Sequence, residues 1–432
     1  MSASPERGIA GWLIAAAASL AVLLGVGFAF AAAEHPARSE DRRLDIAIGR
    51  ALFARQWVSA PASAQATDGL GPLYNARSCA GCHAGAGRGA GLDAEATGHD
   101  GMVLRLGNAG SGRPDPVYGT ELQTEAVPGL VPEGRLAVDF VAELVTLADG
   151  TAVALRRPRP RLAAAALGPL DPATRLGLRI APPLVGLGLL ERIPEADILG
   201  GSGGRPAWVL DPATGQRRLG RFGWKASEPS IATQVGRALA LDIGLSSPLY
   251  RDPYGDCTAR EVACRAMPNG ASPRFDGLEV PGSLTGLLDA YVAVALAPPA
   301  GSPPDVPGRR LFVAAGCAAC HRPSFLLPAA DGRAARTIAP YTDLRLHDLG
   351  PGLAEAMPEG AATGTEWRTA PLWGLGRPRH RDGDAALLHD GRARSILEAI
   401  LWHGGEAATA RDRVAAMPAA DRDALIAFLR SL

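Results

Sequence analysis

Cys79-Ala80-Gly81-Cys82-His83 and Cys317-Ala318-Ala319-Cys320-His321 are two copies of one motif, C-x-x-C-H, set 238 residues apart (79 to 317). At this spacing two cysteines add as thioethers to the vinyl groups of a haem. The adjacent histidine then lies beside the ring and supplies the proximal iron ligand. A single copy is also compatible with a zinc half-site or a dithiol redox pair. Two copies behind an export-type N-terminus point to two covalently bound c-type haems. The cofactor-binding residues are then Cys79, Cys82, His83, Cys317, Cys320 and His321, with His83 and His321 as metal ligands.

The flanks of the two motifs match. Gly49-Arg50-Ala51-Leu52-Phe53 precedes the first, and Gly308-Arg309-Arg310-Leu311-Phe312 precedes the second. Both read as a helix whose Leu and Phe pack near a haem. Pro418 to Leu429 has apolar residues at 425, 426, 428 and 429, the pattern of a closing amphipathic helix. Between the motifs the character turns to β. Phe140 to Leu155 alternates around Asp149-Gly150, a hairpin turn, and Trp208 to Phe222 reads as a second hairpin. A helix is expected from Ser230 to Asp242. The expected fold class is therefore mainly α with β-hairpin insertions, built on two cytochrome c-like haem domains. The Pro-, Gly- and Ser-rich stretch 297–307 reads as the linker. This gives an N-terminal haem domain with a β-rich insertion over 34–300 and a C-terminal haem domain over 301–432.

A fainter echo lies in the same halves. Trp224-Lys225-Ala226-Ser227-Glu228-Pro229-Ser230-Ile231 and His389-Asp390-Gly391-Arg392-Ala393-Arg394-Ser395-Ile396 place Ser and Ile at equal offsets, each before a helical pattern.

The N-terminus reads as a secretory segment over 1–33. Gly8 to Ala33 carries no charge, and Ala29-Phe30-Ala31 and Ala31-Ala32-Ala33 both fit an A-x-A cleavage site. About 20 apolar residues also suffice to span a bilayer, so an uncleaved anchor in the inner membrane stands beside the cleaved signal peptide. Either places the body in the periplasm. Cys257 and Cys264 fall outside the motifs, and a loop-closing disulfide suits an exported chain. Lys plus Arg equals Asp plus Glu, 44 each, which points away from nucleic acid. The 53 Gly and 36 Pro foretell many loops.

Arg368-Thr369-Ala370-Pro371-Leu372-Trp373-Gly374-Leu375, Leu388-His389-Asp390-Gly391-Arg392 and Leu397-Glu398-Ala399-Ile400 resemble the C-terminal half of bacterial di-haem cytochrome c peroxidases. With Gly71 to Cys79, Gly220 to Lys225 and Leu401 to Glu406 added, the chain is similar over most of 45–432 to the di-haem oxidoreductases labelled peroxidase or thiol oxidoreductase. The resemblance implies that the N-terminal haem reacts with hydrogen peroxide. It also implies that the C-terminal haem takes electrons from a small donor protein or quinol-linked carrier and passes them across. Trp224 matches the tryptophan between the haems. Gln234, ten residues on, matches a ligand-orienting glutamine, and Asp242 matches the acid of general acid–base work.

The peroxidases carry a distal methionine fourteen residues after the H-x-G histidine; here that position is His403. His403 is the expected distal ligand of the second haem, with Met357, His347 and Met417 as rivals. Met with His raises a haem potential, whereas His with His leaves it lower. Sixteen residues after His83 stands His99, the expected displaceable distal ligand of the first haem, with Met102 as rival. Arg392 or Arg368 suits a haem propionate. The leading function is an exported di-haem oxidoreductase with peroxidase-like chemistry on hydrogen peroxide or another small oxidant. Alternatives are an electron-transfer cytochrome without its own substrate and an oxidase of protein side chains.

Overall fold

The computed structural model describes residues 36–64, 67–90, 101–299, 306–330, 332–377 and 386–432. The N-terminal segment 1–33, His99 and most of the linker lie outside the described residues.

Near the first motif, helix α1 (Pro36–Ala54) crosses helix α2 (Gly282–Val292). Near the second, helix α3 (Pro307–Ala315) crosses helix α4 (Ala419–Arg430). The glycine of each G-R-x-L-F stretch sits at the crossing. A Cβ on Gly49 would come within 2.1 Å of the Leu287 carbonyl oxygen, and one on Gly308 within 2.1 Å of that of Ala424. The phenylalanine of each stretch reaches its motif histidine. Phe53 and His83 have ring centroids 6.4 Å apart, and Phe312 and His321 6.5 Å. Leu52, Phe53 and Trp57 join the apolar core that packs on Cys79 and Ala80. Phe312, Phe428 and Leu425 join the one that packs on Cys317 and Ala318.

The strands carry as much of the architecture as these helices. Strand β1 (Met102–Asn108) pairs antiparallel with β4 (Thr174–Ile180), and β2 (Arg135–Thr146) with β3 (Ala152–Ala163). The turn at Asp149-Gly150 is where alternation placed it, with Gly150 at φ +85°, a conformation glycine reaches without steric cost. The tip of this long hairpin packs Leu147 and Leu155 into the core of the second motif. Trp208–Leu210 and Arg217–Leu219 form the second expected hairpin.

The expected class, mainly α with two cytochrome c-like domains, is corrected. Helix accounts for 28 % and strand for 22 %, and the strands form small two-stranded sheets; no haem-domain fold is shown. The physical reason lies in the strands between 102 and 180; in the first, 102–108, apolar residues recur every second position. Met102, Leu104 and Leu106 face one apolar core, and Val103 and Arg105 point the opposite way. That segment folds as twisted ribbons that connect the motif regions.

The Trp224 and His389 loops share a backbone. Phe222 bridges Glu228 and Leu387 bridges Ala393, each pair antiparallel. Gly223 and Leu388 both have positive φ, as do Ala226 and Gly391. Each loop ends in a serine cap. Ser230 accepts from the Thr233 N–H at 3.2 Å and Ser395 from the Glu398 N–H at 3.1 Å. Helix α5 (Ile231–Ala238) follows the first cap, and Ile396–Leu401 the second. The expected Ser230–Asp242 helix is thus present, but its last part, Leu239–Ile243, winds as a π-helical turn.

Candidate functional site

The first motif begins as one helical turn, Cys79–Cys82, capped by Ser78, whose Oγ accepts from the Gly81 N–H at 3.2 Å and from Gln56 Nε2 at 2.9 Å. The N–H groups of Asn75 and Ala76, just before it, donate to the Asp242 carbonyl at 2.8 and 2.9 Å. This pairing holds the π turn beside the motif. A cavity of about 140 Å³ opens there. Cys82, His83, Trp224, Gln234 and Asp242 all line it, residues drawn from three separate stretches of sequence. Burial raises Cys79 and Cys82 to about 12, so both are neutral thiols. Burial lowers His83 to about 4, against a smaller pull upward from the Gly87 and Pro182 carbonyls. Its Nδ1 is buried without a hydrogen-bond partner.

Trp224 donates its indole N–H to the Ile180 carbonyl at 2.8 Å, and the Ile180 N–H donates to the His389 carbonyl at 2.7 Å. Both echo loops are thereby tied to one residue. The Trp224 ring also packs against the core that holds Cys317 and Ala318. It therefore touches the surroundings of both motifs.

Around the second motif, His321 Nδ1 lies 3.0 Å from the Tyr341 carbonyl and His403 Nδ1 lies 2.7 Å from that of Ala399. A carbonyl accepts only from a protonated nitrogen, so each contact leaves the Nε2 lone pair for another partner. Burial lowers both rings, His321 to about 4, and the nearby His403 contributes to the lowering of His321. The rivals are placed otherwise. His347 has both ring nitrogens engaged, Nε2 with Asp343 and Nδ1 with Glu406, each at 2.8 Å. Against the effect of burial, hydrogen bonds to Asp343 and Cys320 raise it to about 11. Met357 is buried against Gly107 and Gly177, on the first site's side. Met102 belongs to the core under β1. Arg392 is paired with buried Asp390 at 2.7 Å, and Arg368 donates to the Gly223 carbonyl at 2.8 Å. His389 stacks on Trp367, centroids 3.6 Å apart. Cys257 and Cys264 form the expected disulfide, in a small apolar cluster with Leu73.

The first cavity also holds groups that no motif announced: Arg105, Glu121, Arg179 and Glu359. Arg105 donates to Glu121 at 2.6 Å, and Arg179 pairs with Glu355 and, at 3.1 Å, with Glu359. Although burial works the other way, Arg105, Arg179 and Arg237 hold Glu359 well below the usual carboxylate range. A signal for Arg105 is present in 102–108, where it stands on the half-buried face of a strand whose alternate residues Met102, Leu104 and Leu106 are buried.

Two motif histidines, each with a neighbouring pair of free thiols, define a protein with two redox-cofactor positions. A family model described as "Di-haem oxidoreductase, putative peroxidase" matches residues 138–432, and the chain belongs to this di-haem oxidoreductase family. No curated protein and no solved structure matches the chain. The family implies two haems. The residues present fit that cofactor: neutral buried imidazoles with a free nitrogen, and two pairs of thiols that form no disulfide.

Proposed function

We propose that this protein is an exported, periplasmic c-type di-haem oxidoreductase that reduces hydrogen peroxide or another small oxidant. A small electron donor protein or quinol-linked carrier supplies the electrons at the C-terminal centre, and they are used at the N-terminal one. The observation that carries the reading is the single cavity shared by Cys82, His83, Gln234, Asp242 and Trp224. An acid, an amide and a redox-active ring around one motif histidine suit peroxide chemistry, and the second motif has no counterpart to this set among the described residues.

Haems held by Cys79, Cys82 and His83 and by Cys317, Cys320 and His321 would supply the one-electron iron chemistry. The chain's own part is positional. Gln234 orients a small bound oxidant by hydrogen bonding. Burial and Glu121 push Asp242 well above the ordinary aspartate range, which favours its proton-bearing form as a general acid. Trp224, fixed by its bond to Ile180, lies along the route between the two motif regions. His403 faces the second position and leaves it a relay.

Purified holoprotein should oxidise a reduced small donor protein on addition of peroxide, and Asp242→Asn should slow turnover by about 10²–10⁴-fold. Two centres that stay six-coordinate and low-spin in every redox state, with no turnover, would overturn the proposal.

A further inference from the structure

The first cavity contains two acids that the proposed reaction does not use: Glu359, which is paired with Arg179, and Glu121. Glu121 is 4 % exposed and lines the cavity together with Asp242. Its backbone is pinned: the N–H groups of Thr120 and Glu121 donate to Asp256 Oδ2 at 2.6 and 2.8 Å. Its two side-chain oxygens differ sharply. Oε1 accepts from Arg105 Nη1 at 2.6 Å, whereas Oε2 is buried with no donor in reach. Asp242 lines the same cavity, and its carboxyl interacts with that of Glu121. Two carboxylates cannot hydrogen-bond unless one of them carries a proton, and a buried acceptor left unpaired costs about 1–3 kcal/mol. A protonated Asp242 is the donor that Oε2 lacks.

We infer that Asp242 and Glu121 form a dyad that holds one proton between them, with Glu121 as the positioning residue that keeps Asp242 protonated and Arg105 as the anchor of the pair's single negative charge. Like charges forced together in a buried site share a proton in this way. Two of the other charged groups facing the pair are already matched. Arg237 pairs with Glu228 at 3.3 Å, and Glu359 with Arg179 at 3.1 Å. Asp256 accepts from the two backbone N–H groups, but burial and the nearby Glu121 raise it to about 7, and Cys79 and Cys82, as haem thioethers, carry no charge. Arg105 and Arg237 draw Asp242 downward, but less than burial and Glu121 raise it.

This inference rests on the proposed peroxide reaction. There, hydrogen peroxide takes two electrons from the external donor and two protons, the O–O bond breaks, and two waters leave. The dyad's proton is one of the two, and solvent restores it.

The test uses holoprotein and two readouts. Infrared difference spectra across neutral pH should show a protonated carboxyl band that shifts in D₂O and is absent from Asp242→Asn. In Glu121→Gln the band should titrate lower by about one pH unit or more, because Asp242 loses its like-charged neighbour. The alkaline limb of the peroxide pH profile should move down with it. Arg105→Gln should move both the opposite way, which a merely structural loss would not do. A band whose midpoint is indifferent to Glu121→Gln, or that survives Asp242→Asn, would overturn the dyad. If the band behaves as expected but wild-type protein does not turn over peroxide, the dyad stands and the proposed function falls.

Discussion

His403 shows how much a single ring nitrogen decides. The Ala399 carbonyl takes the Nδ1 proton, and the ring that faces His321 is left with Nε2 as its only free donor of a lone pair. A thioether in its place would be a softer, less basic ligand that favours the reduced metal. We therefore expect His403→Met to raise the midpoint potential of the second haem by an amount on the order of tenths of a volt, within the range that axial ligands span. A spectroelectrochemical titration checks it, and an unchanged potential would remove His403 from the iron. The fourteen-residue offset from His389 made this residue legible. The exclusion of its rival His347 was not, because the Asp343 and Glu406 that occupy its two nitrogens come from separate stretches of the chain.

At the scale of elements, the two G-R-x-L-F stretches act as paired hinges of packing, and glycine is what lets each helix pair approach. In an open helix, Gly to Ala stabilises by about 1 kcal/mol. At Gly308 a methyl would sit 2.1 Å from the Ala424 carbonyl oxygen and 2.6 Å from Phe428 Cβ, both on α4. The clash should outweigh the propensity. Gly308→Ala is expected to cost about 1–3 kcal/mol, seen as a fall in thermal midpoint of the holoprotein. Gly286 in α2 has nothing within 4 Å of its missing Cβ, so Gly286→Ala should be neutral or mildly stabilising. The helices α1 and α3 were legible because a repeated word with fixed spacing marks them, and α4 from its apolar pattern; α2 went unread. The hairpins at 149–150 and 208–222 were legible from period-2 alternation and turn residues. The pairing of β1 with β4 was not, since 65 residues of other structure separate Asn108 from Thr174 and neither strand names its partner. With that pairing unseen, the fold read as more helical than it is, and the charged wall of the first cavity went unread.

Across the whole molecule, the stretches before and after residue 300 are stitched together by cations that donate to backbone carbonyls and, at Arg422, to a carboxylate. Arg345 reaches the carbonyls of Ile198, Gly203 and Gly204 at 2.7, 2.9 and 3.1 Å. Arg156 reaches that of Arg392 at 3.0 Å, and Arg422 pairs with Asp149 at 2.8 Å. Lys225 is the most buried of these links: its Nζ lies 2.9, 2.9 and 2.6 Å from the carbonyls of Thr363, Gly364 and Glu366, and 3.5 Å from the centre of the Trp367 ring. Burial lowers Lys225 to about 6, yet three carbonyl acceptors demand three N–H donors, which only the ammonium form has. Methionine matches its length and apolar stem but offers no donor. Lys225→Met should therefore leave three carbonyls without their donor, at about 1 kcal/mol each. Scanning calorimetry should show wild-type holoprotein unfolding in one main transition, because so many links cross residue 300. In Lys225→Met the midpoint should fall and the transition broaden or split, as the two stretches lose their tightest tie. A variant that unfolds at the wild-type temperature with an unchanged peak would show that Lys225 carries none of this coupling.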